Sequence, residues 1–183
     1  HDEYTHNHSV NVAVLAVALG HRAGYPKAEL ADLGLAALFH DVGKCAIPLA
    51  VLNKEDTLDG DDWARLRTHP SEGVLSLLKL RGIDGTPARM VAGSFEHHLT
   101  LDGTGYPALG AAWKPTLSSR IISLVDCYDA MTSARVYRRE PSAPAEALAY
   151  IRDRAGRHFD PILVKYLVAS VGILPIGSLA LLG

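Results

Sequence analysis

Apolar residues recur at helical spacing along most of the chain. Two series show the spacing most clearly: Val10, Val14 and Val17, then Leu30, Leu33, Ala37 and His40. Residues three and four positions apart share one face of a helix, and no stretch alternates apolar and polar residues as a half-buried strand would. We therefore predict an all-α fold, a helical bundle built as a single domain over residues 1–183.

Start and stop signals divide the pattern into helices. The acidic run 59–62 predicts a helix start that carries Trp63 and Leu66 and ends near His69-Pro70. Thr86-Pro87 predicts another start, for a helix that runs to His97-His98. Further helices are predicted through Leu77–Leu80, over Ser118–Ala134, over Ala145–Arg154, and from Asp160-Pro161 onward. The stretch Leu99–Lys114 is predicted to be a long loop containing glycine and proline.

Bulk composition limits the classes of protein. The 183 residues fit one domain, and 48% hydrophobic residues with 21% charged residues predict a packed core. A net charge of −2 argues against a general surface for nucleic-acid polymers. Cys45 and Cys127 lie in apolar stretches and are predicted to be buried free thiols. With no apolar run long enough to span a bilayer, we expect a cytoplasmic location and no membrane contact for this segment.

Five histidines and two aspartates carry the chemistry: His8, His40, His69, His97, His98, Asp41 and Asp126. Imidazole and carboxylate together suit first-row transition metals, and Lys44 beside them indicates metal-assisted hydrolysis of a phosphate ester. His40 and Asp41 are expected at the end of the second helix, where Gly43 permits a turn. Consecutive helical residues point about 100° apart, so His97 and His98 reach one site only near a helix end or from a cleft. For any single histidine, the alternative is an ordinary surface or core residue.

Three basic residues are candidates for substrate contact. Lys44 is interpreted as a phosphate contact, with a charge at a helix C-terminus as the alternative. Arg135 and Arg138 are three residues apart, so on a helix they share a face and could both reach one phosphate or guanine base. A solvated basic helix end is the alternative for this pair. In the loop, Gly103, Gly105 and Pro107 fit a turn, and Tyr106 is either exposed for contacts or packed against the loop.

Several ordered motifs resemble the HD-GYP family of cyclic di-GMP phosphodiesterases, from about residue 8 to residue 183. The motifs that carry the resemblance are His8-Ser9-Val10, HDVGK at 40–44, Asn53-Lys54, Thr68-His69-Pro70, Glu96-His97-His98, DGTGYP at 102–107, Arg120-Ile121-Ile122, VDCYDAMTS at 125–133, Arg135, Tyr137-Arg138 and Phe159-Asp160-Pro161. The resemblance implies an HD-domain helical bundle with a metal centre, usually of iron or manganese. It also implies hydrolysis of cyclic di-GMP to linear pGpG, and in some members on to GMP, by a metal-bound hydroxide. Some members prefer a mixed cyclic GMP-AMP.

The resemblance also assigns roles by position. His8, His40, Asp41 and Asp126 correspond to ligands of one metal, and His69, His97 and His98 to ligands of a second metal, with Asp41 bridging. Lys44, Arg135 and Arg138 correspond to substrate contacts, with Asp41 and Lys44 as the catalytic pair. The loop residues Asp102, Gly103, Gly105, Tyr106 and Pro107 resemble the surface with which family members meet GGDEF diguanylate cyclase domains. Members usually carry an N-terminal sensor or receiver domain, so we interpret the chain, which begins at His1, as a fragment of a longer protein.

Two departures from the family pattern qualify this picture. Trinuclear members place a glutamate where this chain has Tyr4, and a phenol is a poor ligand at neutral pH, so two metals are predicted. Leu99-Thr100 stands where the family usually has Glu-Arg. This change keeps a second hypothesis open, a signalling adaptor that binds metal and nucleotide with negligible turnover. A third hypothesis is a general HD phosphohydrolase acting on mononucleotides, against which the GYP string and Arg135 and Arg138 argue.

Overall fold

The described part of the chain is helical. The computed structural model describes residues 2–54, 56–79, 88–110, 112–133 and 141–172, with the side chains from residue 6 onward. These ranges contain a 3-10 helix, Val42–Ala46, and nine α-helices: α1 Asp2–Arg22, α2 Lys27–Leu38, α3 Leu49–Leu52, α4 Gly60–Leu66, α5 His69–Leu78, α6 Ala88–Glu96, α7 Leu117–Thr132, α8 Pro144–Asp153 and α9 Pro161–Val171. They contain no β-strand, so the all-α prediction is confirmed. None of these helices is long and apolar enough to cross a membrane.

Helix α7 lies at the centre of the core. It packs against α1, α6 and α8, and its inward residues are fully buried: Ile121, Ile122, Leu124 and Val125. From α1, the core receives Val12, Ala16 and Leu19. The valines whose spacing predicts α1 do not form its buried face, since Val10 is 39% exposed and Val14 is 64% exposed. The helix prediction is therefore correct, but the face that packs is set by the partner helices.

Two separate helices, α4 and α5, meet near residue 68, whereas the sequence predicted one continuous helix to His69-Pro70. Asp59 caps α4 by accepting a hydrogen bond from the Asp62 amide at 2.9 Å, as predicted. The helix then ends at Leu66, and His69 begins α5. Pro70 is accommodated because the first-turn amides of a helix need no intrahelical acceptor. This break places His69 at a helix start, where its ring turns into the interior.

Gly43 serves a different purpose from the one predicted. It lies inside the 3-10 helix, and its φ is not in the left-handed region. A Cβ at this position would collide with the His69 carbonyl oxygen and the Gly73 amide nitrogen, which are backbone atoms of α5. The glycine therefore allows α5 to approach the segment that carries His40 and Asp41.

The two cysteines differ from each other. Both are free thiols, as predicted. Cys127 is partly buried in α7 and packs against the core, but Cys45 is exposed on the 3-10 helix. The prediction that Cys45 is buried is wrong, because a 3-10 turn with one face against α5 leaves its opposite face in solvent.

Candidate functional site

The seven predicted ligand residues converge at one place in the bundle. They come from α1 (His8), the segment after α2 (His40 and Asp41), the start of α5 (His69), the segment after α6 (His97 and His98) and α7 (Asp126). Their ligand atoms form two groups, and within each group all atoms lie within 4.8 Å of one another. The first group is His8, His40 and Asp126; the second group is Asp41, His69, His97 and His98.

Asp41 lies between the two groups. Its Oδ2 atom is 3.4 Å from the Nε2 atom of His40, in the first group. Its Oδ1 atom is 3.3 Å from His69 Nε2 and 3.7 Å from His97 Nε2, in the second group. One carboxylate therefore presents one oxygen to each group. Lys44 adds a positive charge at this point, because its Nζ atom forms an ion pair with Asp41 Oδ2.

Three histidine rings are oriented by the ends of helices. In each, the Nδ1 atom lies within hydrogen-bond distance of the carbonyl oxygen three residues earlier: His40 on Ala37 at 2.7 Å, His69 on Leu66 at 2.7 Å and His97 on Ser94 at 2.9 Å. These carbonyls belong to the last turns of α2, α4 and α6, where the helix supplies no amide donor four residues later. When Nδ1–H donates to the carbonyl, the Nε2 lone pair is free to face the centre of the cluster.

His8 is oriented by a side chain instead. Its Nδ1 atom lies 2.6 Å from Asp129 Oδ2, and its Nε2 atom lies 3.1 Å from Asp126 Oδ1. Asp129 in turn accepts hydrogen bonds from Asn11 at 3.0 Å and Ser133 at 3.1 Å. The sequence analysis assigned Asp129 no role. Its spacing from Asp126 was the available signal, since residues three apart share a helix face.

The pKa values of the histidines differ between the groups. Burial opposes protonation of His8, yet its hydrogen bonds to Asp126 and Asp129 raise its pKa to about 9. Burial lowers the pKa of His69 to about 4, although Asp41 partly offsets the effect. Burial and the neighbouring His97 also lower the pKa of His98. Despite burial, Lys44 and His40 keep the pKa of Asp41 low, so this carboxylate is ionised.

The cluster fits divalent metal ions. His40 Nε2 and Asp41 Oδ1 are buried, and within the described residues neither has a hydrogen-bond partner. Buried polar atoms without partners are rare and cost free energy. Both atoms point into the cluster, where a cation would satisfy them, and the whole donor set is nitrogen and oxygen. The residues present could therefore hold metal.

The DGTGYP loop, residues 102–107, is fastened by Thr100. The Thr100 hydroxyl donates to Asp102 Oδ1 at 2.7 Å and accepts from the amides of Thr104 at 2.9 Å and Gly105 at 3.1 Å. Gly103 adopts the left-handed conformation with φ 78°, as a turn requires. Thr100, one of the two departures from the family pattern, thus has a structural role inside the loop.

Tyr106 packs on the cluster. Its ring centroid is 4.5 Å from that of His98 and 6.1 Å from that of His69. Burial raises the pKa of Tyr106, so its phenol stays neutral. The two alternatives for Tyr106 were exposure for contacts and packing against the loop; the ring instead packs on the histidine cluster.

Glu96 is a second residue for which the sequence analysis gave no role. It is 3% exposed and accepts hydrogen bonds from Trp113 Nε1 at 3.0 Å, the Thr116 amide at 2.9 Å and Ser119 Oγ at 2.7 Å. These bonds join the end of α6 to the loop and to the start of α7. Since Glu96 precedes His97, the network fixes the backbone from which His97 and His98 project.

Comparison with known proteins places the chain in a family. The family model described as HD domain matches residues 1–163. The chain belongs to the HD domain family. This HD domain is 39% identical over 178 residues to a cyclic di-GMP phosphodiesterase of Pseudomonas aeruginosa, with 97% of the chain and 42% of that protein covered. It is 32% identical over 161 residues to 3'3'-cGAMP-specific phosphodiesterase 2 of Vibrio cholerae, covering 88% of the chain and 30% of that protein.

A solved structure supports the same fold. The HD domain superposes on an HDG"Y"P protein from Bdellovibrio bacteriovorus with a TM-score of 0.70 and 23% identity, covering 91% of the chain and 52% of that protein. The resemblance to the HD-GYP family drawn from the motifs is thereby confirmed. The chain spans about two fifths of the length of the Pseudomonas aeruginosa relative. Arg135 and Arg138 lie outside the described residues, so their predicted role stays a prediction.

Proposed function

We propose that this HD domain is a metal-dependent phosphodiesterase that hydrolyses cyclic di-GMP to linear pGpG. The observation that carries the proposal is the position of Asp41, whose two oxygens face two separate groups of ligand atoms. A carboxylate placed in this way suits a pair of metals about 3.5–4 Å apart, the arrangement common to enzymes that cleave phosphate esters. The relatives named as cyclic dinucleotide phosphodiesterases support the substrate class.

In this proposal the two groups hold two ions, with iron or manganese the preferred metals. His8, His40 and Asp126 would hold one ion, His69, His97 and His98 would hold the other, and Asp41 would contribute an oxygen to each group. Metals bound there would supply an activated water and positive charge for the nonbridging phosphoryl oxygens. Four of these ligands are less than 5% exposed, so the surrounding protein excludes bulk water and strengthens each electrostatic contact.

Lys44 is the proposed substrate contact among the described basic residues. Its side chain is 33% exposed, while its partner Asp41 is 5% exposed, so the ammonium lies at the mouth of the cluster. In this position the Lys44 ammonium would donate a charge-assisted hydrogen bond to a phosphoryl oxygen of the substrate. Arg135 and Arg138 are also proposed to contact phosphate or guanine, as the family resemblance implies. The GYP loop remains the proposed surface for a GGDEF domain, and the N-terminal sensor or receiver domain and the cytoplasmic location remain predictions.

The direct test is turnover by metal-loaded protein. The protein would be purified anaerobically, reconstituted separately with ferrous iron and manganese, and incubated with cyclic di-GMP, and the products would be resolved by chromatography. We expect linear pGpG in the metal-loaded samples and none after treatment with EDTA. An absence of product from protein with confirmed metal occupancy and nucleotide binding would contradict the proposal and support the adaptor hypothesis. Cyclic GMP-AMP and mononucleotides, tested side by side, would reveal a different substrate preference.

A further inference from the structure

A row of flat groups leads from the ligand cluster to the surface. Beyond the ring pair of His98 and Tyr106, the guanidinium carbon of Arg67 lies 5.6 Å from the Tyr106 ring centroid. The Trp63 ring centroid is 5.9 Å from the same carbon. Both distances are within the range of cation–π attraction. The guanidinium therefore lies within reach of two aromatic rings, one of which packs on a predicted metal ligand.

The charge of Arg67 is available at this place. Its side chain is exposed, and within the described ranges no carboxylate forms an ion pair with it. Other arginines of the domain are used structurally: Arg89 pairs with Glu29 at 2.7 Å and Arg120 pairs with Asp160 at 2.8 Å. Arg67 therefore lies against aromatic rings, and its guanidinium N–H groups can still donate hydrogen bonds to a ligand.

Trp63 is likewise available. It lies on α4 and is 45% exposed. Tryptophan has the largest apolar side chain and is highly buried on average, so this exposure is unusual. Trp63 lies on α4, Arg67 follows the end of α4, and His69 begins α5 two residues later. Two residues with recognition chemistry therefore stand on the segment that delivers a ligand to the cluster.

This pair matches the chemistry of a guanine base. Guanine presents two neighbouring acceptors, O6 and N7, which fit the forked donors of arginine. Adenine presents N7 beside an N6 amino donor, so the same fork meets a mismatch. An exposed indole offers a stacking surface that any purine can use. In a cyclic dinucleotide, a base is joined to the reacting phosphate through one sugar, so it must lie just outside the ligand cluster.

We propose that Trp63 and Arg67 form the base-recognition surface of this HD domain, with Trp63 stacking on a purine and Arg67 selecting guanine over adenine. The inference rests on the proposed cyclic dinucleotide substrate and adds the residue that sets base preference. Arg67 is a specificity-determining residue in this proposal, whereas Tyr106 positions it.

The test compares cyclic di-GMP with cyclic di-AMP on metal-loaded protein. In Arg67→Met the ratio of kcat/KM for cyclic di-GMP to kcat/KM for cyclic di-AMP should fall by roughly tenfold or more, the discrimination typical of one lost bidentate contact. Arg65→Met, at an exposed arginine two residues earlier on α4, is the matched control and should keep the wild-type ratio. In Trp63→Leu both kcat/KM values should fall by roughly fivefold or more, since stacking is indifferent to the base, and their ratio should fall less than in Arg67→Met, which removes the selecting group itself.

Partial metal loading or partial unfolding lowers kcat/KM for both dinucleotides by the same factor, so the ratio of the two values does not change. A wild-type protein without preference for guanine, or an unchanged ratio in Arg67→Met, would overturn the inference. Wild-type protein that hydrolyses neither dinucleotide would instead refute the proposed function. Calorimetric binding of the same two dinucleotides to that inactive, metal-loaded protein and to Arg67→Met would then decide the inference independently.

Discussion

The two halves of the ligand cluster are built from the same residue types but have opposite proton affinities. In the first group, His8 lies between two carboxylates, and its pKa is raised to about 9. In the second group, His69 is surrounded by other imidazoles and buried, and its pKa is lowered to about 4. The difference shows that the neighbours of a histidine, and not its burial alone, decide whether it holds a proton.

This contrast has a consequence for metal uptake. Metal ligands must be deprotonated, so near pH 7 an ion entering the first group has to displace the His8 proton. An ion entering the second group meets His69 and His98 already neutral. The second group is therefore ready for metal at a lower pH than the first. Asp41, which contacts both groups, should show the largest effect of any single substitution in the cluster.

Asp41→Asn should weaken metal binding by both groups, and so abolish the difference between them. An amide keeps the size of the carboxylate but loses its charge and cannot bridge two cations. We expect metal content measured by atomic emission to fall in both groups, and diesterase activity to drop by more than about a hundredfold, beyond the usual cost of losing an outer-sphere partner. Asp153→Asn, at a side chain that is 81% exposed, is the control and should leave both measurements unchanged. Retention of two metals by Asp41→Asn would contradict a bridging role.

Asp129→Asn should weaken the first group alone. The substitution replaces the charged acceptor that orients His8 and raises its pKa. We expect the affinity for one of two metals to fall by about 10- to 100-fold, as measured by competition with a chromophoric chelator. Affinity for the other metal should be unchanged, because the second group does not touch Asp129. Asp61→Asn, an exposed carboxylate on α4, is the matched control. Equal weakening of both metals would show that Asp129 acts through general stability.

The stability of metal-free protein should peak near pH 6.5. The pKa of His8 is above its ordinary value of 6.5, so its stabilising contribution is complete below pH 6.5 and is lost as the pH rises through 9. The pKa of His69 is below 6.5, so stability is also lost as the pH falls from 6.5 toward 4. One proton accounts for at most about 1.4 kcal/mol per pH unit on each side.

Thermal unfolding of EDTA-treated protein between pH 5 and pH 9 tests this profile, within the range of the two pKa values. In His8→Gln the loss of stability above pH 6.5 should be smaller. His21→Gln, at an exposed histidine, should leave the stability unchanged at both acidic and alkaline pH. Metal loading should also remove the alkaline loss, because a metal-bound His8 has no proton to release. A steady rise in stability up to pH 9 in the metal-free wild type would refute the raised pKa of His8.

The sequence by itself determined the helical class, the loop after His98 and the set of histidines and aspartates that converge in the cluster. Those features depend on local rules: helical periodicity, capping by Asp59 and the scarcity of adjacent histidines beside an HD pair. Three of the ring orientations are also local, because His40, His69 and His97 each use a carbonyl three residues earlier.

Tertiary structure alone decided the remaining features, because they depend on residues far apart in the chain. Asp129 orients His8 across 121 positions, and Gly43 is required only because α5 approaches it. The packing of α1 against α2 and α7 buries Val12 and leaves Val14 in solvent, although both fit a helix equally well. Periodicity identifies a helix, but its neighbours select the face that is buried, the histidines that hold protons and the side chains that remain available to a ligand.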